Sequence, residues 1–512
     1  MKKMRKLAFF LIAFSITSYT PTPSRLIMAQ ENLESKGIIV KFTSQDSVQK
    51  ITNIKTLAYV STYDPRLAII KSKQLEEDLK DLRARPDVEW AEIDTPLDPL
   101  PSRTGPMKVH ETNQFATTSL LPENQVPGPE WDRQWGFFNP GTLLDYVNNS
   151  CSEFVLFGCY DGLARPRVDA KIWELKDYIR RLRVARDEIY ASSKTIIALV
   201  DTGTSLNPTT QKPNPQVINN LWIDPQTGAY GRNFVLDEPI INTTSGPNID
   251  HGPALEGLLV AREDGVKPIG ITSGSVKVMH LRVFNDEGRG NIGAIIRALD
   301  YLLETTKTTD IPVRVAHHSW SCTSCSEETS RELKTRFNEL ADLPPIKDFW
   351  GNIIRERGIV HVIGAGNIVD RPGETDAERA LRANLDIQER VPATFDTSSK
   401  ITVAALDPDG TLAWFSAVGA LRVDIAAPGS SIVALARNGG LTVVDGTSFG
   451  VPFVAGTVAE MFNINPKLKA SYVRRIVNLS GLPNYNLTNQ VYQTRMLHAI
   501  TAAENAMLSR FY

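Results

Sequence analysis

One stretch constrains the fold more than any other: Gly446-Thr447-Ser448-Phe449-Gly450-Val451-Pro452-Phe453-Val454-Ala455-Gly456. A serine stands among glycine, threonine and small residues, with a turn before it and a long apolar run behind it. The pattern predicts a buried helix with Ser448 at or near its start. There it lies close to N–H groups that lack helical acceptors and favour developing negative charge. The small neighbours let another backbone come close. Taken alone, Ser448 could equally be an N-cap, a common position for serine.

Three further stretches bear on that choice. Thr195-Ile196-Ile197-Ala198-Leu199-Val200-Asp201-Thr202-Gly203 reads as a buried parallel strand with a carboxylate at its C-terminal tip. Asp250-His251-Gly252-Pro253 precedes a helical pattern through Leu255, Leu258 and Leu259, so His251 opens a helix. Ile359-Val360-His361-Val362-Ile363-Gly364-Ala365-Gly366-Asn367 reads as a second buried strand with Asn367 just past its glycines. In open α/β sheets the residues beyond strand C-termini converge on one crevice. An acid, an imidazole, a hydroxyl and an amide donor are thereby expected on one side of one sheet.

These segments resemble the subtilisin-like serine proteases. The Asp201 run is similar to that family's aspartate motif, His251-Gly252 to the start of its histidine motif, Asn367 to its oxyanion asparagine, and residues 446–456 to its serine motif. The order Asp, His, Ser is that family's order. The resemblance implies an α/β fold, a mostly parallel sheet flanked by helices and preceded by a small α+β propeptide domain. It implies a secreted serine endopeptidase made as a zymogen, acting on protein or peptide substrates through an acyl-enzyme. Asp201, His251 and Ser448 would be catalytic, and Asn367 would supply the oxyanion hole. Ser319, Trp320 and Ser321, with Gly364, Ala365 and Gly366, would bind the substrate backbone. The chemistry would need no cofactor or metal. Structural calcium is implied by many relatives, but no oxygen-rich loop here stands out as its site.

The 512 residues leave room for more than one domain. Lys2, Lys3, Arg5 and Lys6 precede an apolar run over residues 7–16, so residues 1–29 read as a signal peptide. That run is short for a membrane span, and no stable span is expected in the mature form. Residues 30–98 hold a small α+β pattern: a strand at Gly37-Ile38-Ile39-Val40-Lys41-Phe42, a helix over residues 72–84, and a turn and strand over residues 85–92. This segment resembles the inhibitory propeptide of the same family, which would make it the chain's own intramolecular inhibitor. Residues 99–130, rich in Pro, Thr, Ser and Asn, read as a linker holding the maturation site. Residues 131–512 then form the catalytic domain, in which strands alternate with helices. A formal net charge of −2 offers nothing to attract a nucleic acid.

Two departures stand out. Pro253, Ala254, Leu255 and Glu256 follow the histidine-glycine pair, and Glu256 occupies a place that is usually small in the family. The substrate strand reads Ser319-Trp320-Ser321 without the usual glycine, so a bulky Trp320 on the rim is expected to alter the S1 or S4 pocket. Cys322 and Cys325, with His317 and His318 nearby, could bind zinc. The two histidines would point to opposite sides of a strand, which leaves a local disulfide as the alternative. Cys151 and Cys159 are a second candidate pair. Gly446-Thr447-Ser448-Phe449-Gly450 also fits the G-x-S-x-G elbow of serine esterases, which need an acid and then a histidine after the serine. Only Glu460 and His498 offer themselves there. A non-catalytic binding protein on the same fold is the remaining alternative.

Overall fold

The computed structural model describes residues 37–51, 56–98, 169–185, 195–204, 212–235, 251–262, 270–436 and 440–509, with isolated positions between them. The readings for residues 1–29, for most of 99–130 and for Cys151 and Cys159 lie outside the described residues.

The N-terminal unit contains β1 (Gly37–Phe42), α1 (Gln45–Ile51), β2 (Thr56–Val60), β3 (Leu67–Lys71), α2 (Leu75–Arg83) and β4 (Val88–Ile93). Its four strands pair antiparallel in the order β2-β3-β1-β4. Strand alternation divides β1 between two cores. Ile38, Val40 and Phe42 pack with Val48, Ile51, Leu79 and Leu82 from the unit's own helices. Ile39 faces the other way and joins the core of the main body.

The main body follows with β5 (Gly105–Pro106), α3 (Ile172–Ala185), β6 (Ile196–Asp201), β7 (Gly231–Asn233), α4 (His251–Val260), β8 (Lys277–Arg282), α5 (Ile292–Thr308), β9 (Val313–His318) and α6 (Glu327–Ala341). After a short hairpin of β10 (Ile346–Lys347) and β11 (Ile353–Arg355) come β12 (Val360–Gly364), α7 (Asp376–Ala383), β13 (Lys400–Leu406), β14 (Ile425–Pro428), β15 (Ile432–Leu435) and β16 (Leu441–Val444). The chain closes with α8 (Thr447–Ile464), α9 (Ala470–Ser480), β17 (Leu482–Pro483), β18 (Arg495–Met496) and α10 (Ala499–Leu508).

Nine strands form one sheet in the order β17-β18-β14-β13-β12-β9-β6-β8-β7. Every neighbouring pair is parallel except β17 with β18. β6 is buried along its whole length, which explains its unbroken apolar run. From β6 the chain goes one way to β8 and then crosses to β9 on the other side. The strand order therefore reverses at β6, the place where such sheets open a crevice. Asp201 sits at that end. A hairpin stands before Ser448, formed by β15 and β16 paired from Ile432↔Val444 to Leu435↔Leu441, with β5 added to its edge. Among the described residues no helix is long and apolar enough to cross a membrane.

The N-terminal unit docks on α5 and α6 through a buried polar network. Asp300 accepts from Tyr59 Oη (2.9 Å), Ser61 Oγ (2.6 Å) and Arg336 Nε (2.7 Å). Arg336 also reaches Glu332 and Ser61, and Lys41 bridges Glu332 and Asp64. Such pairs specify one docked orientation more than they add net affinity.

Candidate active site

Each of the four motif residues is delivered by an element end. Asp201 is the last residue of β6 and is fully buried. His251 is the first residue of α4, an entirely buried helix. Close approach fixes the residue after it: a Cβ on Gly252 would lie 2.3 Å from the Gly203 carbonyl and 2.7 Å from Thr202 Oγ1. Only glycine lets α4 start against the Asp201 turn. Gly252 N–H donates to Thr202 Oγ1 across that contact (3.0 Å).

His251 Nδ1 faces both oxygens of Asp201, at 2.8 Å and 3.0 Å. With its proton on Nδ1, the ring leaves Nε2 as the free lone pair, buried and without a protein partner. Burial by itself would push the Asp201 carboxyl up. The His251 charge and hydrogen bond, the Thr202 N–H and the neighbouring His317 outweigh it and hold the carboxyl below its usual value. The acid is thus ionised wherever the imidazole works.

Ser448 lies in the first turn of α8, a helix buried over its whole length. Gly446 precedes it at φ 150° as the N-cap residue and has no side chain of its own to cap the helix. The Ser448 N–H is among the donors that such a helix start leaves over. Pro452, inside the helix, lacks the N–H that the Ser448 carbonyl would otherwise accept from. The Phe449 ring stands against the His251 imidazole with centroids 5.3 Å apart, so α8 and α4 meet at the two motif residues.

Asn367 is oriented by the residue next to the serine. Its Oδ1 accepts from the Thr447 N–H (2.9 Å) and from Thr447 Oγ1 (3.1 Å). Thr447 Oγ1 in turn accepts from the Gly366 N–H (3.1 Å). With Oδ1 committed, Nδ2 is the end left to donate, 3.3 Å from where a Cβ on Gly446 would stand. Nothing in the sequence pattern flagged Thr447 for this role, because threonine before a helix reads only as a capping residue. Asn367→Ala is expected to lower kcat about 10²–10³-fold with KM little changed, the size established for such a donor in a bacterial subtilisin. Steady-state kinetics on a peptide substrate measure it, and a loss carried by KM alone would contradict the role.

The remaining sequence-predicted residues divide. Gly364 lies beside the serine: a Cβ there would meet Thr447 Oγ1 at 3.1 Å and Ser448 N at 3.5 Å. Ala365 is buried and tied to β13 through Val403. Gly366 has φ 110°, and a Cβ on it would run into Arg390. Ser319 and Ser321 follow β9 on the cleft edge. Trp320 does not stand on a rim. It is 2% exposed, and its indole N–H donates to His318 Nδ1 (3.0 Å). Strand alternation turns residue 320 away from the side shared by 319 and 321, and a buried indole needs an acceptor.

That acceptor belongs to a chain of neutral histidines. His318 Nε2 lies 3.0 Å from His361 Nδ1, and His361 Nε2 lies 3.3 Å from the Phe337 carbonyl. Since the indole can only donate, His318 must carry its proton on Nε2, and His361 likewise. Burial lowers both, His361 to about 3. His317 is neutral for the same reason, also at about 3. Zinc is not assembled here: Cys322 and Cys325 are bonded to each other, and both ring nitrogens of His318 are engaged by Trp320 and His361. Among the described residues no group of three or more possible ligands could hold a metal ion.

Glu256 does not close the cleft. It is buried under the Asp201 turn, accepting from Thr204 Oγ1 (2.8 Å), with His280 Nε2 at 3.6 Å. The larger side chain is accommodated because polar partners stand where a family member would need only space.

The cleft is not empty. The Ile292 N–H donates to the Thr95 carbonyl (3.0 Å), the Leu97 N–H to the Gly290 carbonyl (3.0 Å) and the Asp98 N–H to the Ser321 carbonyl (2.8 Å). The stretch after β4 thus runs between the loop following β8 and the edge following β9. Leu97 and Leu100 are buried in the main core.

A family model, the Subtilase family, matches residues 192–511. Subtilisin DY of Bacillus licheniformis is 25% identical over 273 residues, which is 53% of this chain and 82% of that protein. Subtilisin-like protease 4 of Trichophyton rubrum is 24% identical over 395 residues, 75% of this chain and 83% of that one. The crystal structure of the epidermin leader peptide processing serine protease of Staphylococcus aureus superposes with a TM-score of 0.56 at 16% identity, covering 92% of this chain and 99% of that one. This last likeness is one of fold.

Proposed function

The chain belongs to the subtilase family of serine endopeptidases, and from that premise we propose that it is a secreted zymogen cutting peptide bonds through an acyl-enzyme on Ser448. Ser448 Oγ attacks the substrate carbonyl carbon, and its proton passes to His251 Nε2. Asp201 holds the Nδ1 proton in place and stabilises the imidazolium. The carbonyl oxygen becomes an oxyanion that accepts from the Ser448 N–H and Asn367 Nδ2. The intermediate collapses, the C–N bond breaks, and His251 returns the proton to the leaving nitrogen. Water, deprotonated by the same imidazole, then releases the acyl group.

The observation that carries this reading is the two-oxygen grip of Asp201 on His251 Nδ1 at 2.8 Å and 3.0 Å, with Nε2 buried and unpartnered. The esterase reading loses its acid. Glu460 is committed to the Ser273 N–H and to Asn463, and it stands twelve residues, about 18 Å, along α8 from Ser448. The test is a fluorophosphonate probe on folded protein freed of its N-terminal unit, beside Ser448→Ala. Label on the wild type alone supports an activated serine. No label on either would favour the binding protein.

Secretion is supported by the basic and apolar pattern of residues 1–29 and by the Cys322–Cys325 disulfide, a bond suited to oxidising compartments. The inhibitor role of the N-terminal unit is supported by the cleft hydrogen bonds of Thr95, Leu97 and Asp98. Its release should depend on pH through Asp94, which accepts from the Gly293 N–H at the start of α5 (2.8 Å). Burial pushes this carboxyl up to about 6, against the pull of that N–H and Arg297. The docked unit therefore holds a proton that the released unit gives up. Docking is strongest below the ordinary carboxylate range and weakens as pH rises through about 6. We expect the N-terminal unit, once cut, to bind about tenfold more weakly at pH 8 than at pH 5, as Asp94 keeps some contact with solvent. Asp94→Asn should flatten that profile in a titration of unit against enzyme; an unchanged slope would remove Asp94 from the account.

A further inference from the structure

Residues 95–98 are held by more than backbone. The Asp98 carboxylate meets four donors: Ser321 Oγ on Oδ2 (2.6 Å), Thr323 Oγ1 (2.8 Å) and Thr323 N–H (3.3 Å) on Oδ1, and Arg390 Nη1 on Oδ2 (3.4 Å). Arg390 is 8% exposed, and its Nε has no partner. Its guanidinium also comes within 3.5 Å of Ser321 Oγ. No other carboxylate is paired with it among the described residues.

The donors are built into the frame. Val391 and Cys322 exchange backbone hydrogen bonds (2.9 Å and 3.1 Å), which sets Arg390 beside Ser321. Thr323 lies inside the loop closed by the Cys322–Cys325 disulfide. Gly366, one residue before Asn367, makes room for the arginine: a Cβ there would stand 2.6 Å from Arg390 Cδ.

Register ties this cage to the serine. The Asp98 N–H donates to the Ser321 carbonyl, and extending that contact antiparallel by two residues would set Leu100 opposite Ser319. β9 and β12 pair with Ile363 opposite His318, so Ser319 comes beside Gly364, which touches Thr447 and Ser448. On that register the Leu100 carbonyl would be the one brought towards Ser448. Asp98 is then the third residue counted back from the bond under attack.

We infer that the cleft carries a subsite selecting an acidic side chain at the third residue before the scissile bond, formed by Arg390, Ser321 and Thr323, and that Asp98 is this chain's own occupant of it. The inference rests on the endopeptidase reading. A buried cation with one carboxylate partner is costly to leave bare, so when the N-terminal unit departs the site discriminates for substrates that restore the anion. An aspartate or glutamate side chain supplies both the charge for Arg390 and the acceptors for the two hydroxyls. Asparagine supplies only part of the second.

The test has two arms. The first uses the full chain carrying Ser448→Ala, with Asp98→Asn, Arg390→Gln and the pair together, and reads hydrogen exchange of the Leu97 amide. Each single change should lower its protection about tenfold, and the double change no further than either alone. Additive losses would overturn the inference. The second arm gives the matured wild type and Arg390→Gln a mixture of peptides and identifies the cut bonds by mass spectrometry. Wild type should use Asp or Glu at the third position at least about tenfold more than Asn or Gln. Arg390→Gln should lose that preference, so that its cuts no longer favour Asp or Glu over Asn or Gln at the third position. Wild type cutting Asp and Asn peptides equally would overturn the proposal. Thr323→Val, which leaves the arginine in place, should reduce the preference part-way and serves if Arg390→Gln does not fold. The first arm needs no catalysis. A wild type that cuts no peptide at all would tell against the endopeptidase reading, while the exchange data still decide the subsite.

Discussion

Ser448→Ala is expected to lower kcat by about 10⁶-fold, and adding His251→Ala to it is expected to change almost nothing further. The reason is that in the proposed mechanism the two side chains perform one step. A serine hydroxyl attacks only while a base removes its proton, and His251 Nε2, buried with no hydrogen-bond partner, is the base proposed for that hydroxyl. Without either member, what remains is the oxyanion donors and the binding of the substrate backbone, worth about 10³–10⁴-fold over water. Single-turnover rates on one peptide for the two single variants and the double give the answer. Losses that multiply would mean the residues act in separate steps, and the arrangement proposed for them would be wrong.

The second large effect is that of Asp201→Asn, an expected drop of about 10⁴-fold in kcat with the fold intact. The substitution keeps size and removes charge. Both Asp201 oxygens stand within 3.0 Å of His251 Nδ1, so an amide there brings one NH₂ donor to the ring. The imidazole can answer by accepting on Nδ1 and carrying its proton on Nε2, where it can no longer take one from Ser448. The imidazolium of the intermediate also loses its counter-charge. A kcat within tenfold of wild type, in protein with an unchanged melting temperature, would show that the contact at Nδ1 is not what poises the ring.

Much of this architecture was legible in the residues themselves. β6 announces itself by an apolar run with an acid at its end, and α8 by a small-residue entry into a long, mostly apolar helix. The order of motifs made the crevice predictable. Other parts were not legible, for identifiable reasons. Trp320 was expected on a rim as the bulky middle residue of a substrate strand, but which face of an edge it takes depends on the His318 acceptor beneath it. Glu256 looked obstructive until Thr204 and His280 were seen around it. Thr447 orients Asn367 from a position that in sequence is only a capping residue. Arg390 belongs to no motif, and it reaches the cleft through a pairing of Val391 with Cys322, 69 residues earlier. β2 and β3 were not singled out because short antiparallel strands in a small unit carry little periodicity.

The stretch from Thr95 to Asp98 hydrogen-bonds the edges after β8 and β9 while still joined to the folded unit that precedes it. In the proposed zymogen, occupant and cleft are one molecule until a bond is cut beyond that stretch, and occupancy is set by a local concentration that dilution cannot change. After the cut they are two molecules, and occupancy follows the total amount present. The same contacts that hold the cleft shut in a crowded compartment would then let go once the protein spreads into a larger volume. Under the proposed zymogen reading, onset of activity would then be a matter of where the molecule has travelled, with dilution serving as the clock.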